Sequence, residues 1–327
     1  MIKILGLGNA LVDLIINIED DSLLQTFQLP KGSMVPVDAV KASHILEATK
    51  SHKFQVAAGG SASNTIDGLA CLGIGCGYIG KIGHDPYGEL FREEMISRKV
   101  NPVLLYGINQ TGTAITLLTP DAERTFATYL GAAIELSAGD INEKHFSGYD
   151  YLHIEGYLVQ NHHLITHAVA MAKNCGLKIS MDMASYNMVD SNKDFLVDIL
   201  EQYVDIVFAN EEEAKSLTGK SPEPALHQIS QWCDISVVKI GKKGSWIKRG
   251  NEVVKIEGIQ AVLKDTTGAG DLYASGFLYG LVNNLPLLTC GNIASLIGGN
   301  VVEVYGARMG DDRWEKIKAR IREMTSM

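Results

Sequence analysis

A short run of small residues followed by a carboxylate is the part of the sequence best suited to chemistry. The three small residues at 268–270 directly precede Asp271, and the apolar run 272–281 that follows predicts a buried helix. A glycine-rich turn that opens a helix presents unpaired backbone N–H groups at a positive dipole end, which favours an anion. Asp271 would place a base beside that anion, suited to deprotonating a hydroxyl next to a phosphate. The alternative is that Asp271 only caps its helix in a tight turn.

Two further polar positions lie in the first part of the chain. Asp13 sits in an apolar strand-like run, where a carboxylate is costly unless it has partners, and it is able to accept hydrogen bonds from two neighbouring hydroxyls. The alternative for Asp13 is a residue at a strand edge or turn. A second glycine-rich turn, Gly59-Gly60, enters a helix that carries Asn64; an ordinary strand–helix turn capped by Ser61 would explain it equally.

The composition bounds the protein class. The 327 residues are 46% hydrophobic and 20% charged, which suits one large α/β domain over 1–327 with a sizeable core. The net charge of −9 argues against a broad nucleic-acid-binding face. The five cysteines lack zinc spacing, no apolar run reaches membrane-spanning length, and the N-terminus has no signal-peptide layout. These features predict a cytoplasmic protein without nucleic-acid or membrane partners.

From about residue 149 onward, strand and helix patterns alternate regularly. The predicted strands lie near 150–154, 178–182 and 204–208, with helices near 162–175 and 193–202. This rhythm predicts an α/β fold with a doubly wound, mainly parallel sheet and helices on both faces. Short strand-like segments earlier in the chain interrupt the alternation; they lie at 12–18, 33–37, 103–108, 113–119 and 124–130.

Taken together, the motifs resemble those of the ribokinase-like (PfkB-type) carbohydrate and nucleoside kinases, in the same order and along nearly the whole chain. The run 265–271, Asp-Thr-Thr-Gly-Ala-Gly-Asp, is similar to the C-terminal signature of that family. The resemblance implies that the amides of Gly268, Ala269 and Gly270 stabilise the transferring phosphoryl group. It also implies that Asp271 deprotonates the accepting hydroxyl. In this setting the interrupting strands, over about 12–37 and 102–131, are interpreted as a small β lid that excludes water from the reaction.

The resemblance implies a substrate site built from the N-terminal motifs. Asp13 would bind two sugar hydroxyls, and Gly59 and Gly60 would let the backbone approach the sugar while Asn64 bonds its hydroxyls. Arg124 begins one predicted lid strand. It either touches the substrate or phosphate or is a solvated arginine after a turn. Because the lid has edge strands that could pair with a second copy, the protein is expected to be either a monomer or a homodimer formed through the lid.

A second set of positions is implied to bind ATP and Mg²⁺. Asn210 and Glu213 match the Asn-x-x-Glu motif that holds magnesium-bound water, although a capped helix start explains the same run. Lys239 precedes a glycine turn at the predicted nucleotide site, where a solvated strand residue is the alternative. The further ATP-binding candidates are Gly241, Gly244, Thr266, Ser295 and Asn300. The turn 305–308 resembles one that shapes the adenine pocket and, in many members, a K⁺ site.

The resemblance implies transfer of the γ-phosphate of ATP to a primary hydroxyl of a sugar or nucleoside. The segments 8–13 and 124–132 look nearest to adenosine-kinase-like bacterial members, which favours a ribonucleoside. A fructokinase- or ribokinase-type free-sugar kinase shares every catalytic motif and is the alternative. A non-catalytic sugar or nucleotide sensor is a remote one. A nicotinamide-dependent oxidoreductase is disfavoured, because the Gly6-x-Gly8 turn lacks the third glycine due at Leu11.

Overall fold

A computed structural model describes residues 2–121 and 123–326, and its strands form two sheets. The strands are β1 Lys3–Leu7, β2 Leu11–Asn17, β3 Met34–Pro36, β4 Phe54–Gly59, β5 Gly75–Ile82, β6 Asn101–Tyr106, β7 Thr111–Leu118, β8 Arg124–Gly131, β9 Tyr151–Glu155, β10 Lys178–Asp182, β11 Ile206–Asn210, β12 Ile235–Lys239, β13 Ser245–Arg249 and β14 Glu252–Ile256. The α-helices are α1 Ser22–Thr26, α2 Ala39–Thr49, α3 Ser61–Cys71, α4 Pro86–Ser97, α5 His162–Asn174, α6 Tyr186–Ser191, α7 Lys193–Tyr203, α8 Glu211–Thr218, α9 Pro222–Ile229, α10 Ala269–Val282, α11 Leu287–Val301 and α12 Asp311–Thr325.

The larger sheet has nine strands in the order β14-β13-β12-β11-β10-β9-β1-β5-β6. The strands from β12 to β6 are parallel, and β13 and β14 close one edge as antiparallel strands. Both faces are covered. Ile206 and Phe208 of β11 pack in one hydrophobic cluster with α3 and α10, whereas Val207 and Ala209 pack in another with α5 and α9. The predicted doubly wound, mainly parallel sheet is therefore confirmed.

The smaller sheet has five strands in the order β3-β8-β7-β2-β4. Val12 and Leu14 of β2 lie in the core cluster that includes Ile45 of α2. Asp13 alternates with them and therefore faces the opposite side of this sheet.

One part of the predicted lid is wrong. The segment at 103–108 belongs to β6, which pairs in parallel with β5 at the edge of the larger sheet. The smaller sheet contains β4 instead, which pairs with β2. The apolar pattern of a short strand does not show to which sheet the strand belongs. Here the connection from β5 through α4 returns the chain to the edge of the larger sheet, so that β6 pairs with β5.

Helix α10 is buried almost all round, which fixes the position of its first turn. Two of its glycines let α11 approach closely: a Cβ on Gly276 would lie 2.8 Å from the Ala294 backbone, and one on Gly280 would lie 2.8 Å from the Cys290 Cα. This packing holds the N-terminus of α10 at the ends of the parallel strands. No helix in the described part of the chain has the length and apolar character needed to cross a membrane.

Candidate active site

The centre of the site is the first turn of α10. Gly268 is its N-cap residue with φ +75°, a left-handed conformation that favours glycine. The N–H of Ala269 donates to the Thr266 carbonyl at 3.1 Å, whereas the amides of Gly268 and Gly270 meet no acceptor among residues 2–121 and 123–326. Two of the three predicted amide donors are thus free for an anion at the positive end of the helix.

Asp271 lies in this first turn but does not cap the helix with its side chain. One carboxylate oxygen accepts from Ser61 Oγ at 2.7 Å and the other from Asn64 Nδ2 at 2.9 Å. The pKa of Asp271 is raised to about 6: burial and the charge of Asp182 raise it, and they outweigh Asn64, Ser61 and Lys239, which lower it. The carboxylate is therefore ionised at neutral pH and is a stronger base than an exposed aspartate.

Asp13 lies close enough to Asp271 for the two charges to interact, and the charge of Asp271 helps to raise the pKa of Asp13. Burial, the largest cause, brings that pKa to about 7. The Asp13 carboxylate packs on Gly59, where a Cβ would lie 2.2 Å from its Oδ1. The Asn64 Oδ1 is buried without a donor in the described chain, so it is open to a ligand hydroxyl. Acceptors for a polyhydroxy ligand thus converge beside the predicted base.

The start of α3 uses glycine rather than a serine cap. Gly60 is the N-cap residue with φ +91°, and a Cβ there would lie 2.2 Å from the Asn9 carbonyl oxygen. The Ser61 hydroxyl is directed to Asp271 instead. The alternative, an ordinary turn capped by Ser61, is therefore wrong.

The carboxyl ends of three parallel strands bring a buried charge cluster to the other side of the α10 turn. Lys239 at the end of β12 donates to Asp182 at the end of β10, with Nζ 2.7 Å from Oδ2. Burial alone would lower the pKa of Lys239, but Asp182 and Glu213 raise it well above its usual value. Its Nζ is also 3.0 Å from the place of a Cβ on Gly270, so a cation lies against this residue of the α10 turn.

Asn210 and Glu213 form a helix cap next to the buried charge cluster. Asn210 is the N-cap residue of α8, and Glu213 completes a reciprocal capping box, accepting from the Asn210 N–H at 2.8 Å and from Nδ2 at 2.6 Å. The pKa of Glu213 is raised to about 7 because burial and the charge of Asp182 outweigh the opposing charge of Lys239. The cap therefore accounts for the local motif, while the position near Asp182 and Lys239 keeps Glu213 beside the candidate nucleotide site.

Arg124 is neither solvated nor free. Its Nη1 lies 2.5 Å from Asp265 Oδ1 and donates to Thr267 Oγ1 at 2.9 Å, and its guanidinium is 5.6 Å from the Tyr305 ring centroid. The side chain thus ties a strand of the small sheet to the loop that precedes α10. Its Nε and Nη2 are buried and meet no acceptor in the described chain, which leaves two donors for an anion.

The remaining ATP-binding candidates lie around this side of the molecule. Gly241 and Gly244 flank the turn between β12 and β13; Gly244 has φ +99°, and a Cβ there would lie 1.8 Å from the Ile256 carbonyl oxygen. Thr266 is exposed in the loop before α10. Ser295 and Asn300 both lie on α11, where Ser295 Oγ donates to the Glu257 carbonyl and Asn300 Nδ2 donates to the Leu296 carbonyl within its own helix.

Sequence reasoning missed three charged groups at the site, two buried acids and a partly buried arginine. Glu155 ends β9 and accepts from Asn9 Nδ2 at 2.5 Å and from the Ala62 N–H at 3.1 Å. Burial raises the pKa of Glu155 to about 7. Asp182 ends β10, and Arg308 lies in the turn after α11. An acidic residue that ends a buried parallel strand was the available signal for Glu155 and Asp182, because ligands bind at that edge of such sheets.

The cluster suits a phosphate ligand and a hydrated cation. Free amides, the unpaired Arg124 donors and Lys239 supply positive ends for phosphate oxygens. Within the described chain, no group of three or more His, Cys, Asp or Glu residues is arranged to hold a metal directly. Mg²⁺ keeps most of its waters in phosphate sites, so Asp182 and Glu213 fit it through water.

Comparisons with known proteins agree with this geometry. A family model described as pfkB family carbohydrate kinase matches residues 32–313. A probable sugar kinase from Rhizobium etli CFN 42 is 32% identical, with a TM-score of 0.88 and 98% of each chain covered. The adenosine kinase from Sinorhizobium meliloti is 30% identical, with a TM-score of 0.87, covering 98% of this chain and 99% of that one. The 5-dehydro-2-deoxygluconokinase of Bacillus subtilis is 25% identical over 303 residues, 88% of this chain and 93% of the relative.

Proposed function

Because this chain belongs to the pfkB family of carbohydrate kinases, we propose that it transfers the γ-phosphoryl group of ATP to the primary hydroxyl of a ribonucleoside such as adenosine. The family makes it a phosphotransferase that acts on a sugar or nucleoside. The finer assignment rests on the site described above.

One observation carries the proposal. Asp271 is a half-buried carboxylate that is held by two neutral donors, Ser61 and Asn64, at the same helix turn that offers the free amides of Gly268 and Gly270. A base and an anion site share one turn of backbone, so a hydroxyl lying against Asp271 would also lie against the phosphoryl group that it attacks. A capping aspartate would not need this arrangement.

Each predicted residue then has a physical task. Asp13 and Asn64 would hold the hydroxyls of the acceptor, and Asp271 would take the proton from the attacking one. The amides of Gly268 and Gly270 would receive charge that develops on the phosphoryl oxygens. Lys239, above Gly270, would neutralise phosphate charge on the nucleotide side.

ATP would supply the transferred group, and Mg²⁺ would neutralise its β- and γ-phosphate oxygens. Asp182 and Glu213 would orient the waters of that cation, and Asn210 holds Glu213 in place. Gly241, Gly244, Thr266, Ser295 and Asn300 are proposed to border the nucleotide. A K⁺ ion at the turn 305–308 stays a prediction.

The surroundings of Asp13 favour an uncharged acceptor. The charged groups that act on it are three acids, Asp271, Asp265 and Glu94, and the two cations Arg308 and Arg124, so that with Asp13 itself the acids outnumber the cations. This excess of negative charge would repel a sugar acid. On the face of the small sheet that carries Asp13, one row across β2, β7 and β8 consists of Ile15, Thr116 and Phe126. Ile15 and Phe126 stand outside the three hydrophobic clusters of the described residues, which suits them to contact a flat base.

A free-sugar kinase is the second candidate. The 25% identity to a 5-dehydro-2-deoxygluconokinase supports it, and the groups around Asp13 and Asp271 would serve a ketohexose as well as a ribose. A non-catalytic sensor is remote, because it would not need a base at Asp271.

The test is a coupled ADP assay with ATP, Mg²⁺ and a panel of nucleosides, pentoses, ketohexoses and sugar acids. We expect the highest kcat/KM with adenosine, and 5′-deoxyadenosine, which lacks the accepting hydroxyl, should inhibit without turnover. Higher kcat/KM with a ketohexose than with every nucleoside would replace the nucleoside by the free-sugar assignment. ADP release with none of the panel would contradict the proposed function.

A further inference from the structure

Arg308 makes three contacts with the acceptor side of the site. Its Nε donates to the Ala58 carbonyl at 2.9 Å, its Nη2 to Ser63 Oγ at 3.1 Å, and its Nη1 lies 2.7 Å from Asp67 Oδ1. Asp67 is 3% exposed. These partners belong to β4 and α3, the two elements that carry the second glycine-rich turn. A guanidinium with its N–H groups fixed in this way has a defined position rather than a solvated one.

The turn that carries Arg308 also contacts the phosphoryl loop, residues 265–268, which precedes α10. The Gly306 N–H donates to Asp265 Oδ2 at 2.5 Å. Ala307 packs so closely on Gly268 that a Cβ on this glycine would lie 2.4 Å from the Ala307 Cβ. Residues 306–308 therefore join the loop that opens α10 to the strand and helix of the acceptor site.

Ala58 is the point at which this connection reaches the acceptor. Its carbonyl accepts from Arg308, and its N–H donates to Glu94 Oε2 at 2.8 Å. The next residue, Gly59, forms the surface on which the Asp13 carboxylate rests. A shift of the Ala58 peptide would thus move the support of Asp13 directly.

We propose that Arg308 is a positioning residue that couples the acceptor site at Asp13 to the phosphoryl site at Gly268. The inference rests on the proposed function only in taking Asp13 to bind the acceptor. Arg308 itself touches neither reactant in this account. It holds Ala58 and Asp67 of the proposed acceptor site, while its own turn packs on Gly268 of the phosphoryl site.

The charge of Arg308 gives the coupling a signature in pH. Arg308 is the main charged group that lowers the pKa of Asp13, against Asp271, Asp265 and Glu94, and Arg124 is a second cation that interacts with it. Removing that charge raises the pKa of Asp13 above about 7, so the ionised form that accepts hydroxyls is lost at a higher pH. A merely structural role would not move this limb of the pH profile.

The chain offers a matched control for the substitution. Arg98 Nε lies 3.3 Å from the same Asp67 oxygen, but its other partner is Asp311 on α12, at 3.0 Å. Arg308→Gln and Arg98→Gln thus each remove a guanidinium from Asp67, and only Arg308→Gln frees the Ala58 carbonyl. Arg308→Lys keeps the charge but loses the fork of contacts.

The first readout is steady-state kinetics with whichever acceptor the wild-type enzyme uses, on variants whose folding is checked by thermal unfolding. For Arg308→Gln we expect the acceptor KM to rise on the order of 10- to 100-fold with a smaller change in kcat, and the acid limb of kcat/KM to move to higher pH. Arg308→Lys should raise KM without moving that limb, and Arg98→Gln should match wild type. If Arg308→Gln does not fold, Arg308→Lys decides: an unchanged KM overturns the inference. Equal profiles for Arg308→Gln and Arg98→Gln overturn it also.

The second readout needs no acceptor and so separates this inference from the proposed function. Binding of Mg-ADP at the Gly268 loop should slow amide hydrogen exchange in residues 54–60 of the wild-type protein. The same nucleotide, bound at saturation to Arg308→Lys or Arg308→Gln, should leave exchange in 54–60 unchanged. Equal slowing in wild type and variants would show that the coupling does not pass through Arg308. Wild type that turns over no acceptor yet shows this difference would contradict the proposed function alone.

Discussion

Asn64 donates a hydrogen bond to the Asp271 carboxylate at 2.9 Å, although 207 positions of the sequence separate them. Ser61, in the same turn of α3, holds the other oxygen at 2.7 Å. The first turns of α3 and α10 therefore meet at one carboxylate, and the acceptor motif and the phosphoryl motif share a single base. Its two direct donors are neutral, and burial, the largest cause, outweighs them and the more distant Lys239 and brings its pKa to about 6.

Removing these donors should shift the pH dependence of turnover in a known direction. The hydrogen bonds from Asn64 and Ser61 lower the pKa of Asp271, so Asn64→Ala or Ser61→Ala should raise it above about 6. The base must be ionised, and the acid limb of kcat should therefore move to higher pH, with partial recovery of activity in alkaline buffer. Measurements of kcat from about pH 5 to about pH 9, the range in which this limb is expected, check the prediction. An acid limb that stays in place in the Ser61→Ala, Asn64→Ala double variant would contradict the base assignment.

Gly59→Ala should block the acceptor site while sparing the nucleotide site. A Cβ on Gly59 would lie 2.2 Å from Asp13 Oδ1, so Asp13 or the strand must move. We expect the acceptor KM to rise at least about 10-fold and the ATP KM to stay near the wild-type value. Gly139→Ala is the control, because the nearest atom to its Cβ would be Ser137 Oγ at 3.8 Å. Parallel changes in both KM values would mean that Asp13 does not serve the acceptor alone.

Lys239→Met should destabilise the fold as well as weaken nucleotide binding. Asp182 and Glu213 would then lie buried without their cation, a loss of about 3–5 kcal/mol in the free energy of unfolding. The pKa of Lys239 is raised in the folded state, so its contribution is complete at neutral pH and is lost only as the pH rises above the usual range of a lysine. Denaturant unfolding at about pH 7 measures this loss of unfolding free energy, because a lysine side chain is fully protonated at that pH.

Two comparisons sharpen the Lys239 result. Adding Asp182→Asn to Lys239→Met should restore part of the stability, because it removes an uncompensated charge. Lys242→Met, at an exposed position of the next turn, should change little. Equal stability of Lys239→Met and wild type would show that the buried pair does not hold these strand ends together.

The sequence alone was sufficient for the features that are local. The glycine turn before Asp271, the Asn210 cap and the strand–helix rhythm each depend on a few neighbouring residues, and the structure contains all three. Short periodic patterns of this kind encode an element but not its partner.

Features that depend on distant pairing escaped prediction for the same reason. The bond between Asn64 and Asp271 joins two helices far apart in the chain. The sheet to which β6 belongs is decided by its crossover from β5. The sequence linked the turn that carries Arg308 only to an adenine pocket and a K⁺ site, whereas the fold brings Arg308 to Ala58. Tertiary contacts, rather than local propensity, assign these roles.

The most direct test of the account is the turnover of Asp271→Asn with ATP and the preferred acceptor, compared with Asp312→Asn on the exposed surface of α12. The substitution keeps the shape of the side chain but removes the base that would take the hydroxyl proton. We expect kcat to fall by about 10²–10⁴ with only modest changes in both KM values, while Asp312→Asn matches wild type. Wild-type kcat in Asp271→Asn would contradict the central claim that this carboxylate is the base.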